Sequence, residues 1–556
     1  MRTLLMPTTI RRRRFTQGLA LAAGAFAAPA FLRGPLGDAA EVDSRLFSLG
    51  VASGDPTASS VVLWTRIAPY PLQGGGLGPR TVPVQWEISS DPRMTDVVQS
   101  GQVLARPDTG HTVHVEVSGL LPDRWYWYRF RAGRETSRVG RTRTFPGTGE
   151  GATAMRFGLT SCQNYQQGFY SAWRDLAEQD LDFVVFVGDY IYEDGPTSNP
   201  IAAGRVHNGS AATLTTVAEY RNRYALYKLD ENLKAAHARF PFIVTPDDHE
   251  VQDNYAGDWP RADLDDGMHL QRRANAYQVY YETMPLRNAQ RASGSHIQVY
   301  RTIDFGDLAR FVVMDTRQFR TDQPCGDGFG STDPAAAALE PALGPLICGS
   351  DLTAETATMT GADQEAWVFQ KLLESKATWN MLAQQVMMTR WDLSPIGAAA
   401  FQVPLQDLYS VDAWDGYPAA RARVLRFLDT MRPANPVVLT GDIHSSWAAN
   451  LLADFDDPGS DAVGAEFVCS SISSSFGEEN DGLVRLSLSG NPHIRHFDGL
   501  KRGYTILEVT RDRCSGEFRA VENVADPASS VSSLATFRVR SGFNAAGAGP
   551  DAMQKV

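Results

Sequence analysis

The sequence has few cysteines, no long apolar segment beyond its N-terminus and no excess of positive charge. Five cysteines in 556 residues are too few for a scaffold held together by disulfides. After residue 30 no segment approaches the ~20 apolar residues of a membrane-spanning helix, so we expect no stable membrane span. Asp and Glu number 64 against 52 Lys and Arg, which gives a formal net charge of −12. This balance excludes a general attraction to nucleic acid or anionic lipid.

The composition is otherwise that of a large globular protein. Hydrophobic residues make up 43% and aromatic residues 10% of the chain, which is enough for a sizeable core. The 48 glycines and 31 prolines allow many loops without indicating collagen-like or low-complexity sequence. Because 556 residues exceed one ordinary domain, we expect two domains.

The first 30 residues have the pattern of an export signal. Four arginines, Arg11 to Arg14, precede Phe15, and an alanine-rich apolar segment covers residues 19–30. The alanines at the end of this segment fit an A-x-A cleavage site. The Arg-Arg-x-Phe pattern resembles a twin-arginine signal, which implies export of the folded protein by the twin-arginine translocase to the periplasm or the cell exterior. The alternative is a basic arm on a buried helix.

Residues 44–146 predict an all-β domain. Residues 112–117 alternate polar and apolar side chains without a break, and residues 61–65, 84–88 and 125–130 have similar strand-like patterns. Short strands separated by turn-rich segments are typical of an antiparallel sandwich. The segment from Gly119 to Pro122, followed by Tyr126, resembles the tyrosine corner of fibronectin type III domains. We therefore expect a fibronectin III-like or immunoglobulin-like β-sandwich.

From residue 154 to residue 525, strand-like and helix-like segments alternate. The predicted strands include residues 157–160, 181–187, 241–245, 308–314, 379–385, 436–440 and 465–470. Buried strands that alternate with helices predict an α/β core. Residues 526–556 are expected to form a C-terminal tail. Cys325 and Cys348 lie in a Gly-, Pro- and Ala-rich stretch, which we expect to be a surface insertion closed by a disulfide.

Four of the predicted strands end in residues of the kinds that bind metals. In chain order these residues are Cys162, then Asp189 and Tyr192, then Asp248, His249 and Glu250, and finally Asp442 and His444. Open α/β sheets place their sites at the carboxyl ends of their strands. A single Gly-Asp pair at a strand end is usually a turn, but four such strand ends in one chain indicate a common site.

Together these motifs resemble the calcineurin-like metallophosphoesterases and, among them, the PhoD-like alkaline phosphatases. The segments that carry the resemblance are Thr160-Ser161-Cys162-Gln163, Gly188-Asp189-Tyr190-Ile191-Tyr192-Glu193, Tyr220-Arg221-Asn222-Arg223-Tyr224, Asp247-Asp248-His249-Glu250-Val251, Trp414-Asp415-Gly416-Tyr417-Pro418 and Thr440-Gly441-Asp442-Ile443-His444-Ser445-Ser446-Trp447. The resemblance implies an α+β fold, an αββα sandwich of two sheets, preceded by the β-sandwich. It also implies a secreted phosphatase and phosphodiesterase that releases phosphate from small phosphate esters by attack of a metal-held hydroxide.

The resemblance further implies a centre of iron(III) and calcium. The chemistry of the ligands supports the same pair, because a thiolate and a phenolate need a strongly acidic ion such as Fe3+ to deprotonate them. Carboxylates, in contrast, are the hard ligands that suit Ca2+. We therefore expect Fe3+ at Cys162, Tyr192 and His444, Ca2+ at Asp248 and Asp442, and a bridging carboxylate at Asp189.

Residues around the expected metals have further implied roles. In the wider family the histidine at the position of His249 faces the phosphate and stabilises or protonates the leaving oxygen, and Glu250 would orient its imidazole. Gln384 and Gln385 end a similar strand. They are either additional ligands or plain strand-end amides.

Two other functions stay open on the sequence alone. The first is a surface binding protein on a metallophosphoesterase scaffold that has lost catalysis, although the complete set of carboxylates and histidines argues against it. The second is a diesterase or phospholipase-like specialist. Hydrolysis of p-nitrophenyl phosphate with added calcium separates the first from an active phosphatase.

Overall fold

The computed structural model describes residues 46–326, 328–343 and 346–556. The predicted export signal at residues 1–30 lies outside the described residues. Within the described part of the chain, no helix has both the length and the apolar character that crossing a membrane requires.

The described residues form 24 strands and nine α-helices. The N-terminal strands are β1 (Val51–Gly54), β2 (Ser60–Arg66), β3 (Val82–Ser89), β4 (Val97–Ala105), β5 (Thr112–Ser118), β6 (Trp125–Ala132), β7 (Glu135–Thr136) and β8 (Gly140–Arg143). The central strands are β9 (Ala154–Thr160), β10 (Phe183–Phe186), β11 (Pro241–Val244), β12 (Arg301–Phe305), β13 (Ala309–Val313), β14 (Phe329–Gly330), β15 (Trp379–Ala383), β16 (Tyr409–Ser410), β17 (Pro436–Thr440), β18 (Ser446–Leu452), β19 (Ala462–Val468) and β20 (Ile494–Asp498). The C-terminal strands are β21 (Gly503–Thr510), β22 (Arg513–Val521), β23 (Val531–Arg540) and β24 (Gln554–Lys555). The helices are α1 (Ser171–Glu178), α2 (Val217–Lys228), α3 (Glu231–Arg239), α4 (His269–Thr283), α5 (Glu340–Leu343), α6 (Gly361–Glu374), α7 (Ser394–Phe401), α8 (Pro418–Met431) and α9 (Glu478–Ser487).

Two central sheets contain most of these strands. The large sheet has the order β24-β23-β22-β21-β9-β10-β11-β1-β2-β5, and the second sheet has the order β12-β13-β15-β17-β19-β18-β20. Strands β9, β10 and β11 run parallel, as do β13, β15, β17 and β19. Parallel strands that are covered on both faces need apolar side chains at nearly every position. Strands β10 and β11, which are entirely buried, have that composition.

The two sheets stack face to face, with helices on their outer faces. In β10, Phe183 and Val185 lie in the core between the sheets, where Phe183 contacts Phe311 of β13 at a ring distance of 5.4 Å. The intervening residue Val184 lies in the outer core, with Trp173 of α1. Helices α6 and α8 pack in the same way on the outer face of the second sheet. The layers therefore run helix, sheet, sheet, helix.

Helix α2 begins at a cap that the sequence encodes and supports the loop after β10. Thr216 and Glu219 form a capping box, in which the Glu219 carboxylate accepts the Thr216 amide at 2.8 Å. The buried Arg223, two turns further along, donates to the backbone carbonyls of Tyr192 and Asp194. The start of α2 thus sets the position of an arginine that holds this loop in place.

The N-terminal strands share a layer with the large sheet. Strand β1 pairs in parallel with β11, and β2 and β5 continue the sheet beyond β1. The remaining strands β3, β4, β6, β7 and β8 form a second layer, packed on a core that includes Val61 and Tyr128. The close approach of β1 requires Gly54, because an added Cβ would lie 2.6 Å from the carbonyl oxygen of Pro285. The sandwich predicted for residues 44–146 is therefore continuous with the central fold rather than separate from it.

The segment expected to be a C-terminal tail, residues 526–556, belongs to the large sheet. Strand β23 pairs with β22 along its length, and β24 pairs with β23. Ala535, Phe537 and Val539 face the core between the sheets, and the residues between them are more exposed. This alternation is a strand signal that the prediction overlooked, so the expectation of a tail is wrong for these residues.

The insertion after β13 is closed by a disulfide. Cys325 and Cys348 are joined, with their Cα atoms 4.7 Å apart and 23 positions apart in sequence. In the chain-entropy model, closing a loop of this length stabilises the fold by about 3 kcal/mol. The cysteines Cys162, Cys469 and Cys514 are buried and are not in disulfides.

Candidate active site

The carboxyl ends of the parallel strands of both sheets meet at one edge. Cys162 follows β9 of the large sheet and Asp442 follows β17 of the second sheet, yet the Cys162 Sγ lies 3.7 Å from the Asp442 carbonyl oxygen. The loops after β10 and β11 open at the same edge and supply Asp189 and Asp248. The stacking of the sheets thus brings together loops that are far apart in sequence.

Four of the predicted site residues have left-handed backbones. The φ angles are 55° at Cys162, 59° at Asp189, 63° at Asp442 and 58° at His444. Such angles are uncommon for residues with a Cβ, and each costs of the order of 1–3 kcal/mol. Because strained residues of this kind cluster at functional sites, these four mark the edge as a site independently of the sequence motifs.

The glycine that precedes each of two aspartates allows neighbouring loops to approach closely. A Cβ added at Gly188 would lie 2.3 Å from the Cβ of Asp247, and one added at Gly441 would lie 2.5 Å from the Cβ of Ser161. Neither contact is possible for a residue with a side chain. The Gly-Asp motif therefore serves the packing of the loops as well as supplying a carboxylate.

Cys162, Asp189, Tyr192 and His444 form what we call the first donor group. One ligand atom each from Cys162, Asp189 and His444 lies within 4.8 Å of the others. The Tyr192 hydroxyl lies 2.9 Å from Oδ2 of Asp189 and 2.8 Å from Nε2 of His444. Ser474, in the loop after β19, donates a hydrogen bond of 2.7 Å to the same hydroxyl. The structure therefore brings together all the residues predicted to bind iron.

Burial keeps the thiol and the phenol of the first donor group neutral. Burial, and next the Asp189 carboxylate, raise the pKa of Cys162 and of Tyr192 well above their usual values. The Nδ1 atom of His444 lies 3.1 Å from the carbonyl oxygen of Ser475. As a donor to that carbonyl, Nδ1 leaves Nε2 as the basic nitrogen that faces the group.

Asp189, Asp247, Asp248 and Asp442 form what we call the second donor group, so Asp189 belongs to both. Carboxylate oxygens of the first three lie within 4.8 Å of one another. Among the described residues, one buried oxygen each of Asp189, Asp247 and Asp248 has no hydrogen-bond partner. Unpartnered buried carboxylate oxygens are unfavourable, so their convergence fits a cation. Asp247 was part of the recognised motif but was not among the predicted ligands.

Arg317, which was not among the predicted residues, lies between these carboxylates. Its side chain is 1% exposed, with Nε 2.6 Å from Asp247, Nη1 2.7 Å from Asp412 and Nη2 2.9 Å from Asp442. The same Nη2 lies 3.4 Å from Asp248. Burial lowers the pKa of Arg317, but these carboxylates outweigh it and raise that pKa. Arg317 follows β13 as the predicted residues follow their strands, so the rule applied to the other strand ends would have found it.

His249 is held by Glu193. Its Nδ1 lies 2.7 Å from Oε2 of Glu193, and the other oxygen of Glu193 accepts the backbone amide of Asp253 at 2.7 Å. Burial lowers the pKa of His249, but the carboxylates of Glu193 and of the second donor group outweigh burial and raise that pKa well above 6.5. Glu193 ends the motif after β10, and its contact with a loop after β11 was not visible in the sequence.

Glu250 supports the backbone of the acidic loops instead of orienting His249. Its carboxylate accepts hydrogen bonds from the amides of Asp189 at 3.1 Å, of Asp247 at 2.6 Å and of Tyr190. The predicted contact with His249 is therefore wrong. Adjacent side chains in a turn point in different directions, and Glu250 lies beneath the loops while His249 faces the site.

Gln384 and Gln385 lie outside both donor groups. Gln385 donates to the Thr245 hydroxyl at 2.7 Å and accepts from the Thr316 amide at 3.0 Å. Gln384 donates to the Thr440 hydroxyl at 2.8 Å and accepts from an indole N–H at 3.2 Å. Gln385 connects the two sheets, and Gln384 ties β15 to β17 within the second sheet, which matches the alternative of strand-end amides rather than ligands.

The donor atoms fit bound cations. The second donor group offers three buried carboxylate oxygens that accept no hydrogen bond within the described part of the chain, although that of Asp248 lies 3.4 Å from Arg317, and such oxygens are the ligands that hard divalent cations prefer. The first donor group adds a thiol, a phenol and an imidazole, which are ligands of transition metals. Two stacked sheets with such donors at their shared edge have the features of a metallophosphoesterase.

Comparison with known families narrows this class. The family described as PhoD-like phosphatase matches residues 157–518, and the one described as PhoD-like phosphatase, N-terminal domain, matches residues 34–146. The chain therefore belongs to the PhoD-like phosphatase family and is an enzyme of that type.

Two relatives are similar to this chain over most of its length. Alkaline phosphatase D of Bacillus subtilis (strain 168) is 42% identical over 545 residues, which cover 95% of this chain and 87% of the relative. A solved structure described as that of PhoD superposes with a TM-score of 0.81 at 41% identity, over 92% of each chain.

Proposed function

We propose that this protein is a metal-dependent alkaline phosphatase and phosphodiesterase that hydrolyses small phosphate mono- and diesters and releases phosphate. The observation that carries the proposal is the position of Asp189, whose carboxylate belongs to both donor groups, with His249 beside them. Two cation sites joined by one carboxylate are suited to binding a phosphate ester between them. Membership of the family and similarity to alkaline phosphatase D support the substrate class.

The first donor group would hold Fe3+, and the second would hold Ca2+. The support for Fe3+ is the buried thiol and phenol, whose raised pKa values call for a strongly acidic ion. The support for Ca2+ is the set of buried carboxylate oxygens that have no hydrogen-bond partner among the described residues. When bound, such cations neutralise the charge of a phosphate ester and acidify water.

His249 is the proposed catalytic residue. Glu193 holds Nδ1, so Nε2 is the nitrogen that would face a substrate, and it lies 3.8 Å from Oδ1 of Asp253. As a water oxygen forms a new bond to phosphorus and the ester P–O bond breaks, the imidazolium would donate its Nε2 proton to the leaving oxygen, so that the leaving group would depart as an alcohol and the phosphoryl group would remain on the water oxygen.

The test is hydrolysis of p-nitrophenyl phosphate and of bis(p-nitrophenyl) phosphate by purified protein of known metal content. EGTA should abolish hydrolysis of both, and Ca2+ should restore it better than Mg2+, since Mg2+ demands a smaller octahedral shell and loses water reluctantly. Unchanged hydrolysis after EGTA treatment would contradict the calcium proposal. Failure to hydrolyse either ester at any metal content would favour the catalytically silent binding protein.

Visible absorption tests the iron proposal separately. Thiolate and phenolate ligands on Fe3+ give charge-transfer bands, so active protein should be coloured, Tyr192→Phe should shift or bleach the band, and Cys162→Ser should shift it. Tyr190→Phe is the matched control, because the Tyr190 hydroxyl contacts His237 at 2.8 Å and lies outside the donor groups. A colourless, fully active protein that contains only zinc or magnesium would overturn the assignment.

We also propose that residues 1–30 direct export through the twin-arginine translocase to the periplasm or the cell exterior. The support is the Arg-Arg-x-Phe pattern before a mildly apolar segment. Replacing Arg12 and Arg13 by Lys should leave the precursor in the cytoplasm. Normal export of that variant would leave only a general signal peptide.

The N-terminal β-sandwich is proposed to be fibronectin III-like. The Tyr126 hydroxyl accepts the backbone amide of Leu121 at 3.0 Å, which is the contact expected of a tyrosine corner. Tyr126→Phe should lower the free energy of unfolding by about 1 kcal/mol. An unchanged unfolding midpoint in urea would count against this assignment.

A further inference from the structure

Arg317 contacts three carboxylates of the second donor group and is also anchored by Asp412, which lies outside that group. Its Nε and Nη1 are held by Asp247 at 2.6 Å and by Asp412 at 2.7 Å. Its Nη2 lies 2.9 Å from Asp442 and 3.4 Å from Asp248, the two residues proposed as calcium ligands. The guanidinium thus lies beside these ligands, and Asp412 gives it an anchor outside the second donor group.

The position of Arg317 is not a general property of arginines in this loop. Arg320, three residues further along, is equally buried and pairs with Asp412 at 2.8 Å. Its Nε donates to the carbonyl oxygen of Thr316. Arg320 therefore shares one carboxylate with Arg317, and within the described part of the chain its hydrogen bonds and ion pairs do not reach the second donor group.

Arg317 lies among carboxylates that would otherwise repel one another. Its contacts join four carboxylates, of which those of Asp247, Asp248 and Asp412 are buried and that of Asp442 is half-buried, and the second donor group gains a further one from Asp189. Negative charges that are this close in a buried site repel one another strongly, and removing one partner of a buried ion pair is strongly destabilising. Without a divalent cation, the guanidinium is the positive charge in direct contact with Asp247, Asp248 and Asp442, and the His249 imidazolium adds a second positive charge beside Asp248.

We propose that Arg317 is the resident counter-cation of the second donor group, and that it holds Asp248 and Asp442 in place in the calcium-free protein and weakens calcium binding by its charge. Arg317 is thus a positioning residue. This inference rests on the proposed calcium site, but its main measurement, the stability of calcium-free protein, does not.

The test compares thermal unfolding and calcium binding of the full-length, iron-loaded protein with Arg317→Met, in EGTA and in saturating Ca2+. In EGTA, Arg317→Met should lower the unfolding temperature by about 5 °C or more, and Ca2+ should remove at least about half of that deficit. Equilibrium dialysis with Ca2+ should give Arg317→Met an affinity about tenfold or more above that of the wild type, since a nearby positive charge is gone.

Two further variants keep the inference falsifiable. Arg317→Lys retains the charge, so it should recover part of the stability in EGTA even if Arg317→Met does not fold there. Arg320→Met is the matched control, and its deficit should be the same with and without Ca2+. A deficit of Arg317→Met that Ca2+ leaves unchanged, or weaker calcium binding by this variant, would overturn the proposal.

The effect of Ca2+ on the unfolding temperature of the wild type separates the proposed calcium site from the proposed role of Arg317. If Ca2+ does not change the unfolding temperature of the wild type, the proposed calcium site is wrong. Arg317 is then judged in EGTA alone, where a deficit no larger for Arg317→Met than for Arg320→Met would overturn its role as counter-cation.

Discussion

The two donor groups share Asp189 but balance their charges in different ways. In the first, burial and Asp189 raise the pKa of Cys162 and of Tyr192, so both stay protonated until a strongly acidic cation binds. In the second, burial favours the neutral form of Asp248, but Arg317 and His249 outweigh it and lower its pKa. The thiol and the phenol of the first donor group therefore need a metal in order to ionise, whereas the second donor group already contains charged side chains.

The balance in the second donor group is incomplete. Burial raises the pKa of Asp247 and of Asp442 despite the attraction of Arg317. One guanidinium cannot neutralise the charge of several carboxylates, so a divalent cation would also stabilise the second donor group. The two donor groups therefore differ in the positive charge that each requires rather than in how deeply they are buried.

The largest expected effect is that of replacing Asp189, which belongs to both donor groups. Asp189→Asn should remove metal from both donor groups and lower turnover by about 10⁴-fold or more, equivalent to roughly 5 kcal/mol. Metal analysis and p-nitrophenyl phosphate hydrolysis on the same sample measure both effects. Asp194→Asn, in the same loop and outside the donor groups, is the control. Retention of one metal by Asp189→Asn would break the idea of a shared carboxylate.

A smaller effect is expected for a substitution outside both donor groups. His249→Ala should keep both metals but lower kcat by about 10²–10⁴-fold, the usual range for a lost general acid, which corresponds to about 3–5 kcal/mol. Turnover and metal content measured together separate this variant from Asp189→Asn. Wild-type turnover would mean that the leaving oxygen takes its proton from elsewhere.

Glu193→Gln should act through His249 with a smaller loss, about 10–100-fold in kcat. Because the Glu193 carboxylate helps to raise the pKa of His249, its removal should lower that pKa. The alkaline limb of the kcat–pH profile should then move to lower pH, since the protonated imidazole is lost earlier.

The control for this variant is Glu250→Gln. Glu250 accepts three backbone amides of the acidic loops, so its loss should lower the unfolding temperature. A shift of the alkaline limb in Glu250→Gln, and none in Glu193→Gln, would restore the role that the sequence suggested for Glu250.

The last prediction concerns stability rather than turnover and involves Lys228, a buried lysine outside both donor groups. Its Nζ lies 4.4 Å from the ring centre of Trp64 and 4.9 Å from that of Tyr190, and it has no hydrogen-bond partner among the described residues. Where carboxylates raise the pKa of Arg317, burial lowers the pKa of Lys228 from 10.5 to about 7. The two cations show that partners, rather than burial alone, decide the sign of the shift.

Between pH 7 and pH 10.5 the unfolded chain holds a proton on Lys228 that the folded protein lacks. The free energy of unfolding should therefore rise with pH across this interval, by at most about 1.4 kcal/mol per pH unit from this group. Lys228→Met should remove that contribution, so its advantage over the wild type should shrink as pH rises. Urea unfolding at several pH values measures this, with Lys234→Met as control. Parallel pH dependence in the wild type and Lys228→Met would contradict the shift.

The site residues at the ends of the strands were predictable, because they depend on local sequence and on the rule that open α/β sheets place their sites at the carboxyl ends of their strands. Apolar strands followed by Gly188-Asp189 and Gly441-Asp442 predict loops at the carboxyl edge of a sheet, and the structure places them there. The same rule applied to β13 would have included Arg317. The alternating pattern of β23 would have extended the predicted sheet past residue 526.

The sequence by itself determined the strands that end at the site, most of the donor residues that follow them and the family resemblance, because each depends on short segments with a definite pattern. Only the tertiary structure decided which glutamate holds His249, that Gln384 and Gln385 tie strands together, and that β1 extends the large sheet beside β11. These depend on the direction of side chains after turns and on contacts between distant segments. Since neighbouring residues in a turn point to different sides, sequence adjacency does not reveal which of them meet.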